Sequence, residues 1–227
     1  LSDRIGLPVV IENDTAAMTY GEMQRGNLGR YDNALFVNFN WGVGLGIVLE
    51  KKLYRGMDGF AGEIGHINVF DNEKLCHCGK KGCLETEVSV HAISEKIEQY
   101  IREGKTSLLS AHILQNNGKI TPEMIREAIE REDTLVMEIM EKTGGMLGRQ
   151  IANLLNIFNP EAVVVGGFYS IVTSEYFITS IRQAITKYAL KLMHKNIVVE
   201  STALGEKAGA LGACLRAREH FLLMKYR

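Results

Sequence analysis

The chain has 227 residues, 46% of them hydrophobic and 23% charged, with a formal net charge of −1. That length suits one large domain or two lobes around a sizeable core. The balanced charge gives the chain as a whole no electrostatic pull toward nucleic acid or an anionic membrane, and no run of about 18 apolar residues is present to span a bilayer. Residue 1 is Leu, and "LSDRIGLPVVIE" has the character of the interior of a fold, so a further segment is expected ahead of it.

In chain order, "LPVVIEN" is short, apolar and rich in β-branched residues, which predicts a buried strand. "DTAAMTYGEMQRG" has helical spacing and stops at Gly26, placing Asp14 at or near a helix N-terminus. "NALFVNFNWGVGLGIVLEKKLYRG" reads as a hairpin, with strand 34–39, a glycine-rich turn and strand 45–50. Residues 59–85 are irregular and glycine-rich, and "SVHAISEKIEQYIREG" is an amphipathic helix ending at Gly104. Residues 105–120 read as a loop with one short helix. Thr121, Pro122 and Glu123 then open another helix as N-cap, first helical residue and first-turn acid.

A longer helix runs through "TLVMEIMEKTGGMLGRQIANLLNIFN" and stops at Pro160. Its apolar positions Leu135, Ile139, Met146 and Ile151 are read as core rather than as an interface. "EAVVVGG" is a buried strand meeting a Gly-Gly turn, followed by helix 174–190, strand "IVVES" and helix 206–219. Strands alternating with helices of this length predict a layered α/β fold.

The most specific signal is "GEIGHINVFDNEKLCHCGKKGCLE". Cys76, Cys78 and Cys83 fall within eight residues, and His66 lies ten residues upstream. Three thiolates and one imidazole form the closed tetrahedral shell of a structural zinc site. Gly79 and Gly82 let the loop fold back, and Lys80 and Lys81 are placed to offset excess thiolate charge. The alternatives are free thiols, which would invite oxidation, or a strained Cys76–Cys78 disulfide that leaves Cys83 unpaired. Cys214, in an apolar helix, reads as a small core residue. Clustered thiols without a disulfide framework suit a reducing cytoplasm.

The segment "GFAGEIGHINV…CHCGKKGCLE" resembles the signature of the ROK family, named for repressors, open reading frames and kinases. "LPVVIENDTAAMTYGE", "VGLGIVLEKKLYRGMDGFAGE", "NLLNIFNPEAVVVGG" and "LGEKAGALGA" are similar to its other landmarks, so the resemblance covers nearly the whole chain and lies nearest the family's sugar-sensing regulators. It implies the two-lobed actin-like/hexokinase-like ATPase fold with sugar in the cleft and part of the first lobe missing. Residues 1–32 would end the first lobe and include the inter-lobe segment. Residues 33–204 would form the second lobe with zinc loop 62–85, and residues 205–227 a C-terminal helix packing back toward the first. The resemblance makes Asp14 the kinase base or a sugar ligand, Asn13, Glu63, His66 and Glu85 sugar ligands, and Gly42, Gly44, Gly166 and Gly167 the remains of a nucleotide site. His66 would bind sugar through one ring nitrogen and zinc through the other. From the residues alone, Asp14 also reads as a plain N-cap and Glu63 as a solvated charge.

The family holds ATP- and Mg²⁺-dependent sugar kinases and sugar-responsive DNA-binding regulators, commonly as dimers or tetramers. Where the kinases carry Gly-Thr-Gly-x-Gly, this chain has Asn40-Trp41-Gly42-Val43-Gly44, and "VVVGGFYS" lacks the glycine that often follows near the adenosine. An indole offers one donor and no acceptor, and its bulk occupies the space a phosphate needs unless it points away. The expected function is therefore the part of a repressor that binds a small-molecule sugar or sugar phosphate and oligomerises, with DNA read by a helix-turn-helix ahead of Leu1. The alternatives are a glucokinase-like enzyme with Asp14 as general base and a structural scaffold.

Overall fold

The computed structural model describes residues 1–116, 118–168 and 175–225. A short helix α1 (Ser2–Ile5) and an extended segment lead into α2 (Asp14–Arg25). A mixed five-stranded sheet follows, built from β1 (Ala34–Phe39), β2 (Val43–Leu49), β3 (Lys52–Tyr54), β4 (Ala162–Gly167) and β5 (Val198–Ser201) in the order β3-β2-β1-β4-β5. β1 pairs antiparallel with β2 and parallel with β4, and β4 pairs parallel with β5. Between β3 and β4 lie α3 (Val90–Arg102), α4 (Ser110–Asn116), α5 (Pro122–Glu130) and α6 (Thr134–Phe158). α7 (Glu175–Tyr188), α8 (Lys191–His194) and α9 (Lys207–Lys225) complete the described elements.

Every residue of β1 and β4 is buried, because both sheet faces are covered. On one face Leu35, Val37 and Phe39 join Ile93, Ile97, Ile139, Ile151 and Phe177 from α3, α6 and α7. On the other, Ala34, Phe36 and Val164 pack with Met18 of α2 and Ala208 of α9. Leu135, Ile139 and Ile151 are core as expected, and Met146 is half-buried against it. α2 lies close over β2, for a Cβ on Gly44 would stand 2.3 Å from Thr15 Oγ1. α9 crosses α2 just as closely, since a Cβ on Gly212 would meet the Ala17 carbonyl at 1.7 Å.

β3 adds a strand beyond the expected hairpin, and two further elements differ from expectation. Residues 7–12 form no strand. Apolar β-branched character favours a strand only where a neighbouring strand offers its ladder, and none among the described residues does. Leu7 and Ile11 are consequently 64% and 92% exposed. Gly166 and Gly167 are the last residues of β4 rather than a turn, held opposite Asn38 and Phe39 of β1. Tyr169 and Ser170, the end of "VVVGGFYS", lie outside the described residues.

Candidate functional site

The N-terminus of α2, the end of β1, the β1–β2 hairpin and the loop 55–85 surround a polar recess of about 190 Å³. Asn13, Asp14, Glu63, His66 and Glu85 all line it. Asn13 takes the N-cap role, its Oδ1 accepting the Ala16 N–H at 3.0 Å. Asp14 is the first helical residue instead, so the capping role weighed for it falls on its neighbour. Asp14 Oδ1 accepts the Thr15 N–H at 2.6 Å, and Oδ2 lies 3.4 Å from Asn38 Nδ2.

Asn38, Arg55 and His77 also line the recess, and sequence reasoning passed over them. Asn38 had a signal, being the polar residue in an otherwise apolar strand. Its Nδ2 donates to Thr15 Oγ1 at 2.9 Å, while its buried Oδ1 has no partner among the described residues. An unpaired buried acceptor of this kind calls for a donor. Arg55 grips Glu12 with two nitrogens, one of them at 2.9 Å, and Arg216 of α9 approaches the same carboxylate at 3.4 Å. The Arg55 hydrogen bond is the largest influence on Glu12 and lowers its pKa from the ordinary 4.5.

Glu85 is held at both oxygens. Oε2 accepts the Val43 N–H at 3.0 Å, and Oε1 lies 3.0 Å from His77 Nδ1. Gly42 lies so close that a Cβ there would stand 2.2 Å from Glu85 Oε2. Gly42 and Gly44 therefore line the recess and also have packing reasons to lack side chains. Gly166 and Gly167, inside β4, are not among the lining residues.

Beneath the recess, His66, Cys76, Cys78 and Cys83 bring one ligand atom each within 4.8 Å of one another. Cys78 and Cys83 sulfurs are 3.7 Å apart, and Cys76 Sγ is 3.5 Å from His66 Nδ1. A Zn–S bond of ~2.3 Å places tetrahedral sulfurs about 3.8 Å apart, so the spacing fits zinc. Burial pushes the Cys83 thiol up to about 12, and a dication would supply the attraction that makes it a thiolate. Gly79 and Gly82 have φ of 86° and 70°, the left-handed turns that fold the loop back. Lys80 reaches the His66 carbonyl at 2.9 Å, whereas Lys81 pairs with Glu73. His66 presents Nδ1 to the sulfurs and Nε2 toward Glu63, 4.0 Å away. Cys214 is exposed, contrary to the core position expected of it, because it falls on the solvent side of α9.

The ROK family pattern matches residues 1–220. This chain belongs to the ROK family. A xylose repressor from Caldicellulosiruptor bescii is 32% identical over 216 residues, 93% of this chain and 52% of the relative. A glucokinase from Halalkalibacterium halodurans is 33% identical over 213 residues, 93% of this chain and 64% of the relative. A crystal structure of a ROK glucokinase from Streptomyces griseus, in complex with glucose and AMPPNP, superposes with a TM-score of 0.84 at 31% identity, covering 96% of this chain and 70% of that one. The fold is accordingly the actin-like/hexokinase-like architecture that the sequence resemblance implied. The chain spans between half and two thirds of the length of these curated relatives. No helix among the described residues is long and apolar enough to cross a membrane.

Proposed function

We propose that this ROK chain is the sugar-binding effector part of a transcriptional repressor. The observation that carries the proposal is the turn between β1 and β2. A phosphate cradle needs unspent backbone N–H groups converging on one point. Here the Asn40 N–H donates to the Gly42 carbonyl, the Trp41 N–H to Asn40 Oδ1 and the Val43 N–H to Glu85 Oε2, at 2.9, 2.9 and 3.0 Å. The turn also carries a half-exposed indole at the position where the kinases place threonine.

The recess suits a sugar. Vicinal hydroxyls each donate and accept, and carboxylates and amides engage two at once. Asn13, Asp14, Glu63, His66 and Glu85 supply such a set, and the unpaired Oδ1 of Asn38 adds an acceptor. His66, Cys76, Cys78 and Cys83 would hold a structural zinc ion, which when bound fixes the loop and the His66 ring plane. His66 Nδ1 would serve the metal and Nε2 the sugar, so the recess and the metal loop form one unit. Sugar binding would shift the angle between lobes in a homodimer or homotetramer and hence the spacing of helix-turn-helix heads on DNA. The protein would act in the cytoplasm.

A second function, an ATP- and Mg²⁺-dependent hexose kinase, is favoured by the exposed Asp14 carboxylate in the recess. There Asp14 would take the proton of the attacking hydroxyl, and Gly42 and Gly44 would approach phosphate. Sugar-dependent ATP turnover separates the two. The repressor proposal expects no ADP above a sugar-free control with xylose, glucose or N-acetylglucosamine. Turnover abolished by Asp14→Asn would overturn it and make Asp14 the base.

A further inference from the structure

Beside the polar recess runs a second, wider groove of about 860 Å³ that the proposed monosaccharide site leaves unused. Gly42, His77 and Glu85 line both, so the two share a rim. The groove differs in chemistry from the recess. Its large exposed apolar side chains are Trp41 and Leu75, at 52% and 70% exposure. Large exposed apolar side chains beside a polar cleft mark a contact surface for a ligand.

Trp41 is held in place rather than loose. Its ring lies 6.4 Å from the His91 ring and 6.0 Å from the Phe168 ring, the latter edge-on. The Asn40 side chain fixes its backbone N–H, and the Asn40 carbonyl accepts the Val90 N–H at 3.0 Å. A fixed indole offers an electron-rich face. The ligand that matches it has a flat face of C–H bonds and a rim of hydroxyls, which describes a pyranose ring.

His77 supplies the polar half of the contact. His77 Nδ1 lies 3.0 Å from Glu85 Oε1, which orients the ring and leaves Nε2 to bond a ligand hydroxyl. An anionic ligand is disfavoured, because Lys74 on the groove wall is paired with Glu87 at 2.9 Å while Glu85 and Glu95 remain on the wall.

We infer that the groove is a second saccharide subsite, so that the preferred ligand is a disaccharide with one ring in the recess and the next stacked on Trp41. This rests on the recess being a sugar site. Trp41 is the chain's only tryptophan, so the emission reports on the surroundings of this one side chain. The zinc-loaded protein is titrated with xylose against xylobiose, glucose against cellobiose and maltose, and N-acetylglucosamine against chitobiose. Affinities come from calorimetry and the local change from fluorescence. The expected result is that one disaccharide binds about tenfold or more tighter than its monosaccharide and alone shifts the emission. Trp41→Ala then brings the pair within twofold, and Trp41→Phe, which keeps a ring and the fold, retains part of the gain. A monosaccharide that binds as tightly as every disaccharide, or a gain that survives Trp41→Ala, overturns the subsite and leaves the recess standing. Binding of none of these sugars overturns the subsite and the recess together.

Discussion

Gly44→Ala tests whether the hairpin glycines are set by packing. The added Cβ would stand 2.3 Å from Thr15 Oγ1 and 3.1 Å from Thr15 Cβ and Cγ2. Thr15 has little room, since it is buried and its hydroxyl accepts from Asn38 at 2.9 Å. Overpacking of this kind costs about 1–3 kcal/mol, and replacing a strand glycine returns about 0.5–1 kcal/mol. Because a 2.3 Å approach is far inside ordinary contact, the cost falls in the upper part of that range, at about 2–3 kcal/mol, and the net loss is about 1–2.5 kcal/mol, or roughly 2–10 °C in Tm for a chain of this size. Calorimetric melting without nucleotide or sugar is the assay. In a Thr15→Ala background the clash with Oγ1 and Cγ2 is gone, so the same substitution should cost less than half as much. A Gly44→Ala protein melting within 1 °C of wild type, or an equal cost in both backgrounds, would refute the packing account.

Chelation with demonstrated metal loss should lower Tm and abolish sugar binding together, because the loop bearing Glu63, His66 and Glu85 loses its brace; unchanged melting after metal removal would contradict this. Asp14→Asn should weaken sugar binding without costing any phosphoryl transfer, as read by calorimetry beside an ADP assay. Glu12→Gln should cost about 1–2 kcal/mol at pH 7 through loss of the charged pair with Arg55, whose partner carboxylate is only 12% exposed. Because the folded-state pKa of Glu12 is depressed, that contribution is complete above 4.5 and fades as pH falls through the folded value. The Tm gap between wild type and Glu12→Gln should thus narrow in acid, and a constant gap down to pH 3 would count against it.

Much of this molecule is visible in its sequence, for particular reasons. The spacing of Cys76, Cys78 and Cys83 and the Gly79 and Gly82 turns are local features, and they belong to a family signature that covers the chain. Helices with strong apolar periodicity, such as α3, come within two residues of the expected bounds because burial of one face decides them. The segment 7–12 failed because composition records fitness for burial, not whether a partner strand is there. Asn38, Arg55 and His77 were missed because their roles come from tertiary juxtaposition. Asn38 meets Thr15 across 23 positions, and Arg55 meets Glu12 across 43. The hairpin glycines were visible as a motif, but their contacts with Thr15 and Glu85 were not.

The most direct test of the central claim is calorimetric titration of the zinc-loaded protein with xylose, glucose and N-acetylglucosamine, beside a Glu85→Gln variant. A sugar recess predicts saturable one-site binding of at least one of them, weakened about tenfold or more when the carboxylate becomes an amide. Absence of binding for all three, or binding that Glu85→Gln leaves untouched, would contradict it.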